Sequence, residues 1–222
     1  MLPTETQIPF QPPARNELVS RSETSHFGDE FFPDPKNLET YFESPSYFDL
    51  LTDVIDSSAY QRLRDIRFLG AIDYLVHPNG SQKNRRHSRF DHSLGVAKLA
   101  LDYCRVCSLD EADQKHVVVA ALLHDIGHGP LSHSLEPVFK EKYRLSHHTA
   151  TELIVNGHVP IGHTLRGILR RHRLDPKRIT ALIAGTSGDP HAEIFRNPIN
   201  IDTIEGISRA YTYIAPSGTQ AS

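Results

Sequence analysis

Apolar residues recur along most of this chain at helical rather than strand spacing. The stretch "RFDHSLGVAKLALDYCRVC" (89–107) is apolar at Leu94, Ala97, Leu101 and Cys104, and again at Val96, Ala100 and Tyr103. A helix apolar on more than one face is expected at the centre of a fold. Ser108 and Glu111 then read as an S-x-x-E capping box, opening a helix through "DQKHVVVAALLHDIG" that Gly129-Pro130 ends. Upstream, "SPSYFDLLTDVIDS" and "SAYQRLRDIRFLG" read as two helices, the second closed by Gly70. Downstream, the pattern predicts helices near 131–142, 146–156, 163–172, 176–184 and 200–214. Between the two halves lies a short β-like run, an Asn79-Gly80 turn and a basic loop, "SQKNRRHS". Strand signals are otherwise scarce, so the expected fold is all-α, a helical bundle.

Residues 1–35 are polar and rich in proline, and read as an extended or partly disordered arm. The expected domain covers 36–215, and 216–222 is a flexible tail. With 222 residues, 38% hydrophobic and 23% charged, the chain suffices for one full core. The net charge of −3 argues against a large nucleic-acid-binding face, although local basic patches remain open. The longest apolar run, "VVVAALL", is far short of a membrane span, and the first residues show no basic leader or apolar signal core; the expected address is the cytoplasm. The lone C-x-x-C at Cys104 and Cys107 reads as two small buried hydrophobes.

The histidine content changes this ordinary picture. There are fourteen, most of them between residues 87 and 191. "ALLHDIGHGPLSH" (121–133) places His124 and Asp125 at the end of a buried apolar helix, with His128 and His133 beyond. Buried polar groups must be paired or ligated, so a hydrogen-bonded core, a catalytic dyad and a metal are all open at this point. His92 opens one central helix, and Asp202 opens a late one in "NPINIDTIEGISRAY". Together, His92, His124, Asp125 and Asp202 form a mixed N/O donor set suited to Mn, Fe, Co, Ni or Zn. Four protein donors leave positions open for water and a substrate oxygen, as hydrolysis requires.

Four segments resemble, in order, the motifs of the HD-domain phosphohydrolases, and most closely the deoxynucleoside triphosphate triphosphohydrolase branch. They are "AYQRLRDIRFLG", "RFDHSLGVAKLA", "ALLHDIGHGPLSH" and "IDTIEGISRAY". The resemblance implies a metal held by His92, His124, Asp125 and Asp202, with Mg accompanying a nucleotide substrate. It implies that His128 sits over the phosphate and that His133 with Glu136 forms a catalytic acid–base pair. His147 would face the same phosphates, with His148 competing for that role. Arg89 matches an arginine that contacts the polyphosphate, and Lys83, Arg85 and Arg86 add cations in the preceding loop. Release of triphosphate from a deoxynucleoside triphosphate is the implied reaction. The alternatives are a 5′-nucleotidase on monophosphates, a nuclease or phosphodiesterase, and a non-hydrolytic nucleotide sensor.

The sequence departs from that branch at Phe68, where a glutamine commonly reads the sugar 3′-hydroxyl, and at Thr203, Gly206 and Ala210. The larger relatives also continue into a lobe that completes the nucleotide pocket. Either this is a compact member with its own substrate choice, or partner subunits of a homo-oligomer complete the pocket; a homo-oligomer is the expected assembly.

Overall fold

The computed structural model describes residues 37–67, 88–186 and 188–214. The expected arm and tail, the Asn79-Gly80 turn, and Phe68, Lys83, Arg85 and Arg86 lie outside them. The described chain is helical, and its one β feature is an isolated antiparallel bridge between Arg67 and Ser88.

Three short elements come first: α1 (Leu38–Tyr41), α2 (Phe48–Asp56) and α3 (Ser58–Gln61). The helix expected to close at Gly70 is shorter than its pattern suggested. After α3 it tightens into a 3₁₀ turn, Arg62–Asp65, and Ile66 is extended. The centre is a hairpin of α4 (Arg89–Val106) and α5 (Glu111–Leu123). Residues 117–123 are completely buried, so the C-terminal half of α5 is enclosed on every side by its neighbours, while its first turn remains exposed. Ser88 and Asp91 form a reciprocal capping box at the start of α4, each side chain bonded to the other's backbone N–H. This cap fixes where α4 begins and hence where Arg89 and His92 lie.

The cap of α5 is Asp110, which accepts from the Asp113 N–H at 2.8 Å. Ser108 instead takes a left-handed backbone (φ 52°), so the predicted box does not form. Cys104 is buried as expected, whereas Cys107 is exposed at the helix end. The helix expected to run to Gly129 stops at Leu123, and His124 to Gly127 form a turn.

A 3₁₀ turn at Ser132–Ser134 leads into α6 (Glu136–Tyr143) and α7 (His147–Val155). The continuous helix expected near 131–142 is therefore divided. Next come α8 (Gly162–Arg171), α9 (Pro176–Ala184), α10 (Glu193–Arg196) and α11 (Ile201–Ile214). α11 packs on α4, and α9 packs on α5. Asn200 caps α11 by accepting from the Thr203 N–H at 2.8 Å, which puts Asp202 in the first turn. A carboxylate is favoured there by the helix dipole.

Candidate metal centre

The start of α4, the turn after α5 and the start of α11 meet at one point. His92 is fully buried, and its Nε2 lies 3.2 Å from Nε2 of His124 and 2.9 Å from Oδ1 of Asp202. Oδ2 of Asp125 is 3.7 Å from the first imidazole and 3.5 Å from the second. Asp202 Oδ1 is 3.8 Å from His124 Nε2. All four donors predicted from the sequence are thus brought together.

The partners behind the imidazoles decide how the two rings face each other. His124 Nδ1 donates to the Ala121 carbonyl at 2.7 Å, and His92 Nδ1 faces Glu205 Oε2 in a short contact. With both Nδ1 hydrogens committed, the two Nε2 lone pairs point at each other and at carboxylate oxygens. Such an arrangement is repulsive unless a cation or proton lies between the donors. The donor set therefore fits a divalent transition metal, with a carboxylate and a carbonyl orienting the imidazoles from behind. Burial disfavours charge on His92, but the bonds to Asp202 and Glu205 win and raise its pKa to about 9. Burial opposes ionisation of Asp125 as well, yet His124 and Arg89 hold it well below the usual carboxylate range.

Glu205 was not singled out by sequence reasoning, nor was Arg209 given a role. Asp202, Glu205 and Arg209 follow at i, i+3 and i+7, one face of α11, which is the signal that would have found them. Arg209 is buried and donates to Glu205 Oε1 and to the Asp91 carbonyl at 2.9 Å. Gly95 makes room for this carboxylate: a Cβ there would lie 2.8 Å from Glu205 Cγ and closer still to Oε1. The turn carrying His124 and Asp125 is held from two sides. Arg62 donates to the carbonyls of Ile126 and His128, the latter at 2.6 Å. Thr151 accepts from the Gly127 N–H at 3.0 Å, and α7 approaches so closely that a Cβ on Gly127 would lie 2.6 Å from Thr151 Oγ1.

The remaining predicted residues form an adjoining group. Arg89 is buried and paired with Asp125. His128 Nε2 lies 3.2 Å from Asp125 Oδ1. His147 stacks on His128 with ring centroids 4.3 Å apart, and His133 meets His128 edge-on at 4.7 Å. Glu136 receives Nδ1 of His133 at 3.3 Å and Nδ1 of His147 at 2.8 Å. The expected His133–Glu136 pair is thus part of a triad with His147. His148 is exposed, its ring 3.9 Å from that of His147. Burial, reinforced by His128 and His148, lowers the His147 pKa to about 4, so this imidazole is neutral at pH 7. Glu136 is lowered to about 2, its bonds to His133, Lys140 and His147 outweighing burial.

A family model described as "HD domain" matches residues 89–196, which span the first three of these donors. Among curated proteins, the uncharacterized protein MG461 homolog of Mycoplasma pneumoniae is 35% identical over 162 residues, covering 69% of this chain and 35% of that protein. The deoxynucleoside triphosphate triphosphohydrolase SAMHD1 homolog of Dictyostelium discoideum is 31% identical over 201 residues, 80% of this chain and 35% of the relative. Deoxynucleoside triphosphate triphosphohydrolase SAMHD1 of Danio rerio is 42% identical over 104 residues, 43% and 15% respectively. The chain spans about a third of the length of the first curated relatives it matches. No helix among the described residues is long and apolar enough to cross a membrane.

Proposed function

Because the chain belongs to the HD-domain family, we propose that it is a metal-dependent phosphohydrolase acting on nucleotides, with deoxynucleoside triphosphates as the leading substrate class. The observation that carries this reading is the convergence of His92, His124, Asp125 and Asp202 with their Nε2 and carboxylate donors facing one small volume. Relatives whose names specify deoxynucleoside triphosphate triphosphohydrolase support the substrate class.

His92, His124, Asp125 and Asp202 would hold the ion. When bound, a divalent cation supplies Lewis acidity toward a phosphate oxygen and lowers the pKa of a water. The other residues do the rest. Arg89 fixes the Asp125 carboxylate and brings positive charge beside the volume the donors enclose. His128 and the neutral His147 offer nitrogens to phosphate oxygens and to the proton of the attacking water. His133 is exposed and oriented by Glu136, which suits it to deliver a proton to the leaving oxygen. A bond forms from water oxygen to phosphorus, the bridging P–O bond breaks, and the departing oxygen takes a proton. Attack at the α-phosphorus frees nucleoside and triphosphate; attack on a monophosphate frees orthophosphate. Lys83 and Arg86, in the basic loop, are the further substrate contacts of this proposal.

Incubation with Mn²⁺ and a panel of nucleotides, followed by ion-exchange separation of the products, tests it. Triphosphate release is the expected result. Orthophosphate alone would make the chain a nucleotidase, and no turnover of any nucleotide by metal-loaded protein would overturn the reading.

A further inference from the structure

The face of α6 that carries Glu136 continues beyond it. Glu136 receives His133 and His147, so this face looks onto the wall of the site. Lys140 follows at i+4, with its Nζ 3.1 Å from Glu136 Oε1. Tyr143 follows at i+7, which in an α-helix lies about 20° from the direction of Glu136 and about 10.5 Å further along the axis. That is the order of the distance from the first phosphate of a nucleotide to its base. Tyr143 is 60% exposed, yet it ends a helix whose cap is closed. The Arg144 N–H donates to the Lys140 carbonyl at 3.0 Å, and the Leu145 N–H to the Phe139 carbonyl at 3.3 Å. Phe139, its ring centroid 6.1 Å from that of Tyr143, braces the exposed ring from the same helix. Lys140, Lys142 and Arg144 are exposed around it. A ring flanked by cations combines what a nucleotide needs: a face on which the base stacks, and charge for the phosphate oxygens. α11 offers no such grip. One and two turns beyond Asp202 stand Gly206 and Ala210, and the Thr203 hydroxyl is engaged with the Pro198 carbonyl at 3.0 Å.

We infer that Lys140 and Tyr143 form the part of the substrate site that holds a nucleotide beyond its reacting centre. The Tyr143 ring stacks on the base, and Lys140, between the two ends, takes an oxygen of the first phosphate. This rests on the reading of function given above and adds residues to it. Stacking serves every base, because each has a π-face. The arrangement therefore favours nucleotides over inorganic phosphates and discriminates little among bases. Lys140 is 58% exposed, so its flexible stem changes partner from Glu136 to phosphate without disturbing the core. Glu136, released from Lys140, keeps its bonds to His133 and His147, and the acid–base group stays oriented.

Isothermal titration of the Mn²⁺-loaded full chain tests the inference, with circular dichroism checking the fold of each variant. Two probes are used. One is inorganic triphosphate; the other is a deoxynucleoside triphosphate analogue with a methylene group in place of the 5′ oxygen, which cannot release triphosphate. The wild type should bind the analogue more tightly than inorganic triphosphate. Tyr143→Ala should weaken the analogue about tenfold and leave inorganic triphosphate unchanged. Tyr143→Phe, which keeps the ring, should bind both as the wild type does. Lys140→Met should weaken both probes, by a factor that shrinks as salt is added. Equal affinity of the wild type for the two probes would overturn the inference, as would a Tyr143→Ala or Lys140→Met chain that binds the analogue as tightly as the wild type. Turnover separates it from the reading of function. If nucleotides are hydrolysed with the same KM by the wild type and Tyr143→Ala, this inference alone falls. If binding depends on Tyr143 and no nucleotide is hydrolysed, the reading of function falls and the nucleotide site stands.

Discussion

Glu205→Gln isolates what the second carboxylate of α11 contributes, because it keeps the shape of the side chain and removes one buried charge. In the native chain Oε2 faces Nδ1 of His92, and Oε1 accepts from Arg209, whose Nε lies at 2.9 Å. Glutamine has one acceptor and one donor head. Whichever way it turns, its NH₂ meets either the His92 Nδ1–H or the Arg209 guanidinium. Glu205 and Arg209 are 6% and 1% exposed, so water does not rescue the group left unpaired. Removing one partner of a buried ion pair costs about 3–5 kcal/mol. The amide oxygen retains one hydrogen bond, worth roughly 1 kcal/mol. A loss of about 3 kcal/mol is therefore expected in urea unfolding of metal-free protein. Metal affinity, measured by competition with a chelator, should fall about 10–100-fold because His92 is no longer oriented by an anion. Glu205→Gln/Arg209→Met removes both charges and should recover much of the stability while affinity stays low. A stability change within about 0.5 kcal/mol and unchanged affinity in the single variant would refute this reasoning.

Gly95→Ala should act through the same carboxylate: its Cβ collides with Glu205, costing about 1–3 kcal/mol and weakening metal binding, both measurable on one titration series. Arg62→Met removes a charged donor from the carbonyls of Ile126 and His128; each such bond is worth about 1.5–3 kcal/mol, so a clearly lower unfolding midpoint is expected in urea. The metal-free chain should be most stable near pH 6.5. His147, lowered to about 4, contributes stability above its unfolded pKa that is lost as pH falls through 6.5 toward 4. His92, raised to about 9, contributes stability below 6.5 that is lost as pH rises toward 9. Thermal melts across pH 4–9 check this, and a bound divalent ion should restore the alkaline side.

The sequence displayed the donors more clearly than the supports that aim them. His92, His124, Asp125 and Asp202 stand out because polar residues within apolar helices require an explanation, and the helices that carry them were legible from their spacing. What lay hidden is the layer behind. Glu205 looks like a solvent-facing residue until the packing of α11 on α4 turns it inward to His92. Arg62 caps two carbonyls more than sixty residues away, and no local pattern encodes that contact. Element ends were the least readable. Val117 to Leu123 runs straight into His124 and Asp125 with no breaker until Gly127, yet the backbone leaves the helix at Leu123. Arg62 and Thr151 stabilise that departure from outside. The Ser108-x-x-Glu111 box lost to Asp110, which offers a capping carboxylate two residues beyond the Ser108 hydroxyl.

The central claim is that side chains from the starts of α4 and α11 and the turn after α5 hold one ion. Crystals of the chain grown with Mn²⁺ or Co²⁺, with anomalous diffraction recorded at that metal's absorption edge, test it most directly. The strongest anomalous peak is predicted among His92 Nε2, His124 Nε2, Asp125 Oδ2 and Asp202 Oδ1. A fully loaded crystal whose strongest peak lies away from these four atoms would contradict the account.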